Sequence, residues 1–399
     1  MTAPIAELLT LAGTMPPGWE QAFATVRRAD FVPDRIWPFR DGGYERAIDR
    51  DRDPDAWLAA VEDDIPLVTQ WDDGAHTGDE PGELATSSSS APTVVALELA
   101  VLDLADGMRV LEIGTGTGWT AGLLAARGAN VTTIEVDPVL AARARDAIDR
   151  TRYAASITVI TGDGALGHPP HAPYDRVHVT AGVRSIPAAW IDQAASGATV
   201  VMPWGTDYNP HDQVVHLTVT GNQAHGRFRG GLSFMKLRAQ RAEYPNVHWP
   251  GTWKRTARAS TPALTIADVA GATHRAAEFV IGLMVPDCMP DIRDDGRMYL
   301  YGWDDAGEPS LAEAVFPEDG IPVVHQTGTR DLWSEVEAAH AWWTAVGRPE
   351  AERFGLTVTV DGGTVEQRPW YEAPDRELPS RTGMPGDAFL RATTRRIGG

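Results

Sequence analysis

The sequence predicts an α/β protein. A Rossmann-like sheet lies between a helical N-terminal region and an additional α+β C-terminal domain. Three observations carry this reading. From Arg109 to about Gly205, apolar strand-like runs alternate with helical runs, the pattern of a parallel sheet covered by helices. The first of these strands runs into a glycine-rich turn, Val110-Leu-Glu-Ile-Gly-Thr-Gly-Thr-Gly-Trp119, and then into a helix. Beyond about Ala239 the alternation stops, and seven of the 14 tryptophans gather there, at Trp249, Trp253, Trp303, Trp333, Trp342, Trp343 and Trp370.

Taken in order, residues 1–83 read as a helical region with a long irregular insertion. An amphipathic helix starts at Pro17 and ends before Phe31-Val-Pro33. The stretch Asp41 to Glu83 holds fourteen acids against three arginines. Its composition reads as a solvated, partly mobile face, with a peptide-docking surface as the alternative. Thr86-Ser-Ser-Ser-Ser90-Ala-Pro92 reads as a polar loop leading into an apolar helix that ends near Leu104.

Residues 84–238 form the predicted core. Strands are expected at Arg109–Ile113, Val131–Glu135, Ile157–Thr161, Tyr174–Thr180 and Thr199–Pro203. Helices are expected at Trp119–Arg127, Pro138–Tyr153 and Ala188–Ala195. Asp137-Pro138 is a helix start: a capping carboxylate, then proline in the first turn. Two further strands flank a Gly221-Asn222 turn.

Residues 239–378 read as a separate accessory domain, with a capping box at Ser334-Glu-Val-Glu337 and a hairpin around Asp361-Gly-Gly363. Residues 379–399 read as a basic tail.

Composition narrows the function. A net charge of −20 argues against a nucleic-acid partner. Cys288 stands alone, so no intrachain disulfide forms, and it reads as a buried or loop thiol. No apolar run reaches membrane-spanning length and the N-terminus lacks a secretion signal, so a cytoplasmic location is expected. His168 and His171 flank two prolines without further ligand types, so no metal site is expected.

The glycine turn carries the ligand chemistry. Gly114, Gly116 and Gly118 permit close backbone approach, and the following helix N-terminus offers free N–H groups. Glu135, about 20 residues on at the end of the second strand, is placed to accept from ribose hydroxyls. Dinucleotides and S-adenosylmethionine both use this layout. Glu112, two residues before the first glycine, has no role against a pyrophosphate but suits an amino-acid ammonium group. S-adenosyl-L-methionine is therefore the expected cofactor.

The residues also resemble a known family. Val26-Arg-Arg-Ala-Asp-Phe-Val-Pro33, Ser90-Ala-Pro92, the Val110–Gly118 run, Gly162-Asp-Gly164, Pro173-Tyr-Asp-Arg176 and Val201-Met-Pro-Trp-Gly205 occur in the order found in protein-L-isoaspartate O-methyltransferases. The resemblance covers about half of the chain, from roughly Ala24 to Leu237. It implies a Rossmann-like methyltransferase that transfers a methyl group to a peptide carboxylate. Glu112, Gly114, Thr115, Gly116, Gly118 and Thr180 would then hold the methionine part, Glu135 the ribose, and Asp163 and Gly164 the adenine. Ser90 would contact the substrate carboxylate. Arg184, in Thr180-Ala-Gly-Val-Arg-Ser-Ile-Pro187, departs from the family pattern and could pair with the same carboxylate.

The length, the acidic insertion and the C-terminal domain resemble a variant subgroup that tailors ribosomally made peptides: lanthipeptides, lasso peptides and graspetides. There an aspartate is methylated and the ester cyclises to aspartimide. Two alternatives stand beside this reading. One is general repair of L-isoaspartyl damage; the other is a non-catalytic cofactor- or peptide-binding protein. In either enzymatic reading the partner is a peptide carrying aspartate or isoaspartate.

Overall fold

The computed structural model describes residues 5–241, 253–270 and 275–379. Trp249 and nearly all of the basic tail lie outside the described residues.

At the N-terminus, α1 (Ile5–Leu11) and α2 (Glu20–Thr25) bury Leu9, Trp19, Phe23 and Val26 against the core. The acidic stretch that follows is not an irregular insertion. It folds into β1 (Arg35–Arg40), β2 (Gly43–Tyr44), β3 (Ile48–Asp49), α3 (Pro54–Val61) and β4 (Leu67–Trp71). With β5 (Ala85–Ser89) these strands make an antiparallel sheet of order β2-β1-β4-β5, with β3 also on β1. Ile36, Trp57 and Leu67 supply a small core, and the acids point outward. Asp53 caps α3 by accepting from the Ala56 N–H at 3.0 Å, with Pro54 in the first turn.

The serine run expected as a polar loop is largely strand β5. Its backbone pairs with β4, and the Thr69 hydroxyl donates to Ser87 Oγ at 3.1 Å. Serine reads as loop because its hydroxyl competes for local backbone bonds. Here an apolar neighbouring strand, β4, decides otherwise.

The core then follows the predicted alternation: α4 (Pro92–Val101), β6 (Arg109–Ile113), α5 (Trp119–Ala126), β7 (Asn130–Glu135), α6 (Pro138–Asp149), β8 (Ile157–Thr161), β9 (Tyr174–Val179), α7 (Ala188–Asp192), β10 (Ala194–Trp204), β11 (Asp212–Thr220) and β12 (Gln223–Leu232). Strands β8, β7, β6, β9 and β10 are parallel, with Val131 and Arg176 both level with Val110. Asp137 caps α6 through the Val139 and Leu140 N–H groups.

Beyond residue 253 come β13 (Arg258–Ser260), α8 (Ile266–Ala270), α9 (Arg275–Met284), β14 (Cys288–Ile292), β15 (Arg297–Trp303), β16 (Pro309–Val315), β17 (Val323–Thr327), α10 (Leu332–Ala345), β18 (Phe354–Asp361) and β19 (Thr364–Tyr371). Strands β13 to β17 form their own antiparallel sheet, order β13-β17-β16-β15-β14. The predicted hairpin is β18–β19, and it departs from the expectation of a self-contained C-terminal unit. Strand β18 pairs with β12, so the main sheet has nine strands, in the order β19-β18-β12-β11-β10-β9-β6-β7-β8. One apolar core runs through both regions: Phe228 of β12 meets Phe279 of α9 at 4.8 Å between ring centroids. Burying rings of this size stabilises by about 1.5–3 kcal/mol each.

The capping box at Ser334 is also corrected. Helix α10 begins two residues earlier, at Leu332, and Glu337 instead accepts from the Trp333 indole at 2.8 Å and the Ala263 N–H at 2.6 Å. Cys288 is buried, and burial pushes its thiol up to about 12. No helix among the described residues is long and apolar enough to cross a membrane.

Candidate active site

The site is built where β6, β7, β8 and β9 end, as expected for a parallel sheet. The turn after β6 needs its glycines. Gly114 has φ +93°, and a Cβ there would sit 2.8 Å from the Thr180 hydroxyl. That hydroxyl donates to the Gly114 carbonyl at 2.6 Å, so Thr180 fastens the loop from β9. Gly116 has φ +54° and lies under the Ser88 carbonyl. Its N–H donates to the Glu135 carboxylate at 2.9 Å, and the Asp137 N–H reaches the other oxygen at 3.1 Å. Burial raises the Glu135 carboxyl above its ordinary range, against these two backbone bonds. The structure thus brings Gly114, Gly116, Glu135 and Thr180 together.

Glu112 sits below this loop, fully buried. One oxygen accepts from Thr133 at 2.6 Å, and Thr133 is 2.7 Å from the hydroxyl of Thr115 in the glycine turn. Its other oxygen, Oε1, is buried without a partner. Burial pushes this carboxyl up to about 7, although His178 and the Thr133 bond favour the charged form. The N–H groups of Gly114, Gly116 and Gly118 are taken up by Ile134, Glu135 and Thr115, so the unpartnered Glu112 oxygen is what the turn offers: a buried acceptor in need of a donor, which fits a ligand bearing an ammonium group.

Gly118 caps α5 in left-handed conformation. Asp163, after β8, is exposed and accepts from the Ala165 N–H at 2.9 Å. Gly164 packs on Ile113 and its carbonyl accepts from the Trp190 indole at 2.8 Å. Gly164 is thus buried beside β6, with Asp163 exposed next to it.

On the substrate side, Ser90 is half-buried between β5 and α4. Its position is set by a residue the sequence reading passed over. Arg28 is 1% exposed and donates to the carbonyls of Ser89 and Ser90, both at 2.9 Å. Arg28 also reaches the Ser89 hydroxyl at 3.0 Å and the carbonyls of Val61, Asp63 and Ile65. Burial lowers its pKa to about 9, against the nearby Asp64 and Asp63 charges. Arg28 stands in the run Val26-Arg-Arg-Ala-Asp-Phe31, just after α2, where only its place between buried apolar residues sets it apart from Arg27.

Arg184 is placed differently from the expectation of a free carboxylate-binding group. Its guanidinium pairs with Asp207 and donates to the Gln240 carbonyl at 2.9 Å. Gln367 of β19 holds the same loop: its amide donates to the Arg184 carbonyl at 3.0 Å and accepts from the Ile186 N–H at 3.0 Å. A contact 183 residues away in sequence leaves no local signal.

The β4–β5 hairpin lies across the site. Gln70 donates to Asp137 at 3.1 Å, and Asp73 near its tip pairs with Arg241 at 2.8 Å and Arg238 at 2.9 Å. A cavity of about 1340 Å³ opens between this hairpin, the segment 25–35 and α6, with Gly116 and Thr117 at one end and Trp37 and Trp71 in its wall.

Comparison with known proteins agrees with this geometry. Residues 67–229 match the family model described as protein-L-isoaspartate(D-aspartate) O-methyltransferase. The protein-L-isoaspartate O-methyltransferase of Thermococcus onnurineus is 35% identical over 175 residues, covering 43% of this chain and 78% of that protein. The same-named protein of Hyperthermus butylicus is 43% identical over 142 residues, covering 33% and 59%. A solved protein-L-isoaspartate O-methyltransferase shares the fold with a TM-score of 0.52 at 21% identity, over 92% of this chain and 99% of that one. With the cofactor-loop geometry and a relative matched over most of its length, the chain belongs to the protein-L-isoaspartate O-methyltransferase family, whose cofactor is S-adenosylmethionine.

Proposed function

We propose that this carboxyl O-methyltransferase acts on an aspartate side chain of a ribosomally made, modified peptide, and that the ester then closes to aspartimide. The carrying observation is the roofing hairpin. It is tied down at its base by Arg28, at its middle by Gln70 and Asp137, and near its tip by Asp73. A roof fastened at three points suits one defined, folded substrate better than arbitrary unfolded chain. The cavity of about 1340 Å³ beside it, which meets the cofactor turn at Gly116 and Thr117, has room for a constrained peptide loop.

In this reading Gly114, Thr115, Gly116 and Gly118 hold the methionine part of the cofactor with Glu112 below them. Thr180 keeps that turn closed, Glu135 takes the ribose hydroxyls, and Asp163 with Gly164 borders the adenine. The cofactor supplies a sulfonium-bound methyl group. Ser90 orients the acceptor carboxylate, which is anionic at neutral pH and needs no general base. Arg184 acts on the same carboxylate only through the loop it braces with Asp207. Catalysis is alignment and exclusion of water. Afterwards the backbone N of the next residue bonds to the ester carbonyl carbon, the C–OCH₃ bond breaks, and the amide proton leaves with methoxide as methanol.

A second reading, general L-isoaspartyl repair, is favoured by one observation. The solved relative of that name has a counterpart for nearly all of this chain, so the C-terminal segment is not peculiar to it. Mass spectrometry separates the readings. The purified enzyme and S-adenosylmethionine are given a simple isoaspartyl peptide and, separately, a cyclised precursor peptide encoded beside its gene. Tailoring predicts a gain of methyl and then loss of methanol on the cyclised peptide alone. Equal methylation of the simple peptide overturns it in favour of repair.

A further inference from the structure

Below the glycine turn, three ionisable side chains are closed off from water. Glu112 of β6 and His178 of β9 are level partners on adjacent parallel strands, as are Glu112 and Thr133 of β7. Glu98 of α4 covers His178, its carboxylate 3.6 Å from Nε2. Glu98 is 1% exposed, and Glu112 and His178 are fully buried. The row therefore runs from the helix that follows Ser90, through His178, Glu112 and Thr133, to Thr115 of the cofactor turn. Glu98 Oε1, Glu112 Oε1 and both His178 ring nitrogens are buried without hydrogen-bond partners. Such a concentration of unsatisfied groups asks for a function.

The charges explain the arrangement. A lone buried carboxylate takes up a proton, because burial penalises its charged form. Glu112 would then present no negative charge to a cationic ligand. The groups facing it are Thr133 and Glu135 from β7, His178 from β9 and Glu98 from α4; Glu98 and Glu135 oppose its ionisation and His178 favours it. Burial pushes His178 down, but Glu98 and then Glu112 more than offset this and hold the imidazole above its ordinary value. Burial raises Glu98 itself, with His178 acting against that.

We propose that His178, braced by Glu98, is a positioning residue for the cofactor: its imidazolium favours the ionised form of Glu112 beneath the glycine turn, the form that receives the ammonium group of the methionine moiety. This rests on the cofactor reading of the glycine turn. The family fold needs a negative charge at a place with no water, and a buried cation on the next strand supplies the balance. Cofactor binding then releases a proton, and the pH at which affinity falls is set by His178.

The test is calorimetric binding of S-adenosylhomocysteine, which carries the ammonium group and is not turned over. It is run between pH 6 and 9 in two buffers of different ionisation enthalpy. The wild type should bind more tightly as pH rises and release about half a proton near pH 7, because Glu112 titrates there. His178→Gln should bind about tenfold more weakly at pH 7 and regain affinity near pH 9, since loss of the cation moves Glu112 up by a unit or more. Glu98→Gln should shift the profile the same way but less, and it serves if His178→Gln fails to fold. Glu112→Gln should bind weakly with no proton release. A His178→Gln profile, or failing that a Glu98→Gln profile, superimposable on the wild type overturns the proposal while leaving the cofactor reading intact. Absence of binding by the wild type at every pH overturns the cofactor reading itself.

Discussion

The guanidinium of Arg28 donates to the main-chain carbonyl of Ser90 at 2.9 Å, across 62 residues of sequence. The same side chain lies 5.6 Å from the ring centre of Trp119, the first residue of the helix after the glycine turn. One buried cation thus ties the segment proposed to hold substrate to the element proposed to hold cofactor.

Replacement of Arg28 is expected to be costly for both stability and turnover. Arg28→Ala leaves several buried carbonyls without a donor. Each charge-assisted bond of this kind contributes about 1.5–3 kcal/mol, and the losses are not additive. A fall of roughly 3 kcal/mol in unfolding free energy is expected by denaturant titration, with methyl transfer nearly abolished. Arg28→Lys keeps the charge but has one nitrogen where Arg28 uses three, Nη2 for the Ser89 and Ser90 carbonyls, Nε for the Ser89 hydroxyl and Nη1 for the Val61 and Asp63 carbonyls, so it should recover stability more than activity.

Gly114 and Gly116 should not respond equally to alanine. At Gly114 a methyl group meets the Thr180 hydroxyl at 2.8 Å, and φ is +93°. At Gly116 the nearest atom is the Ser88 carbonyl at 3.5 Å, with φ +54°. Gly114→Ala is expected to weaken S-adenosylhomocysteine binding by about tenfold or more, the equivalent of 1–3 kcal/mol of backbone strain. Gly116→Ala should weaken it less. Equal affinities by calorimetry would contradict this account of the turn.

Asp73 holds the hairpin tip, and its carboxyl lies below the ordinary range chiefly because it accepts from Arg241. A group whose pKa is depressed on folding stabilises above its unfolded pKa and ceases to as pH falls through the folded value. The strap is therefore intact at neutral pH and opens only in acid. Asp73→Asn should raise KM for the peptide with little change in cofactor affinity. Because the pair is partly exposed, added salt should mimic the mutation in part.

Gln367 offers a way to detach the C-terminal hairpin from the site without removing it. Gln367→Ala deletes the bonds to Ile186 and Arg184 and one from the Trp204 indole at 3.2 Å. The loop 184–186 should loosen, lowering kcat/KM several-fold while S-adenosylhomocysteine affinity stays unchanged. A parallel loss of cofactor binding would mean that the loop also supports the glycine turn.

Truncation near Ala239 is expected to give an aggregating protein rather than a minimal enzyme. It strips β18 from β12 and Phe279 from Phe228, exposing a long strand edge and an apolar face together. Light scattering of the truncated chain checks this.

The sequence by itself determined the alternating core, the glycine turn from Val110 to Gly118, the Asp137-Pro138 helix start and the hairpin at Asp361. In each case the signal is local: periodicity, a turn requirement or a capping side chain acts within a few residues. It also placed the two acids, Glu112 and Glu135, at the ends of the first two strands. The tertiary structure alone decided the rest. The acidic stretch is a folded sheet because β4 finds β5 and a small apolar core, which composition does not show. Arg184 is tied to Asp207, and Gln367 reaches its loop from the far end of the chain. Arg28 acts on Ser90, and His178 lies beside Glu112, because strand order and helix packing bring them together. Hydrogen bonds and charges of that kind depend on distance in space, and nothing in a linear pattern encodes which distant groups will share a buried, low-dielectric place.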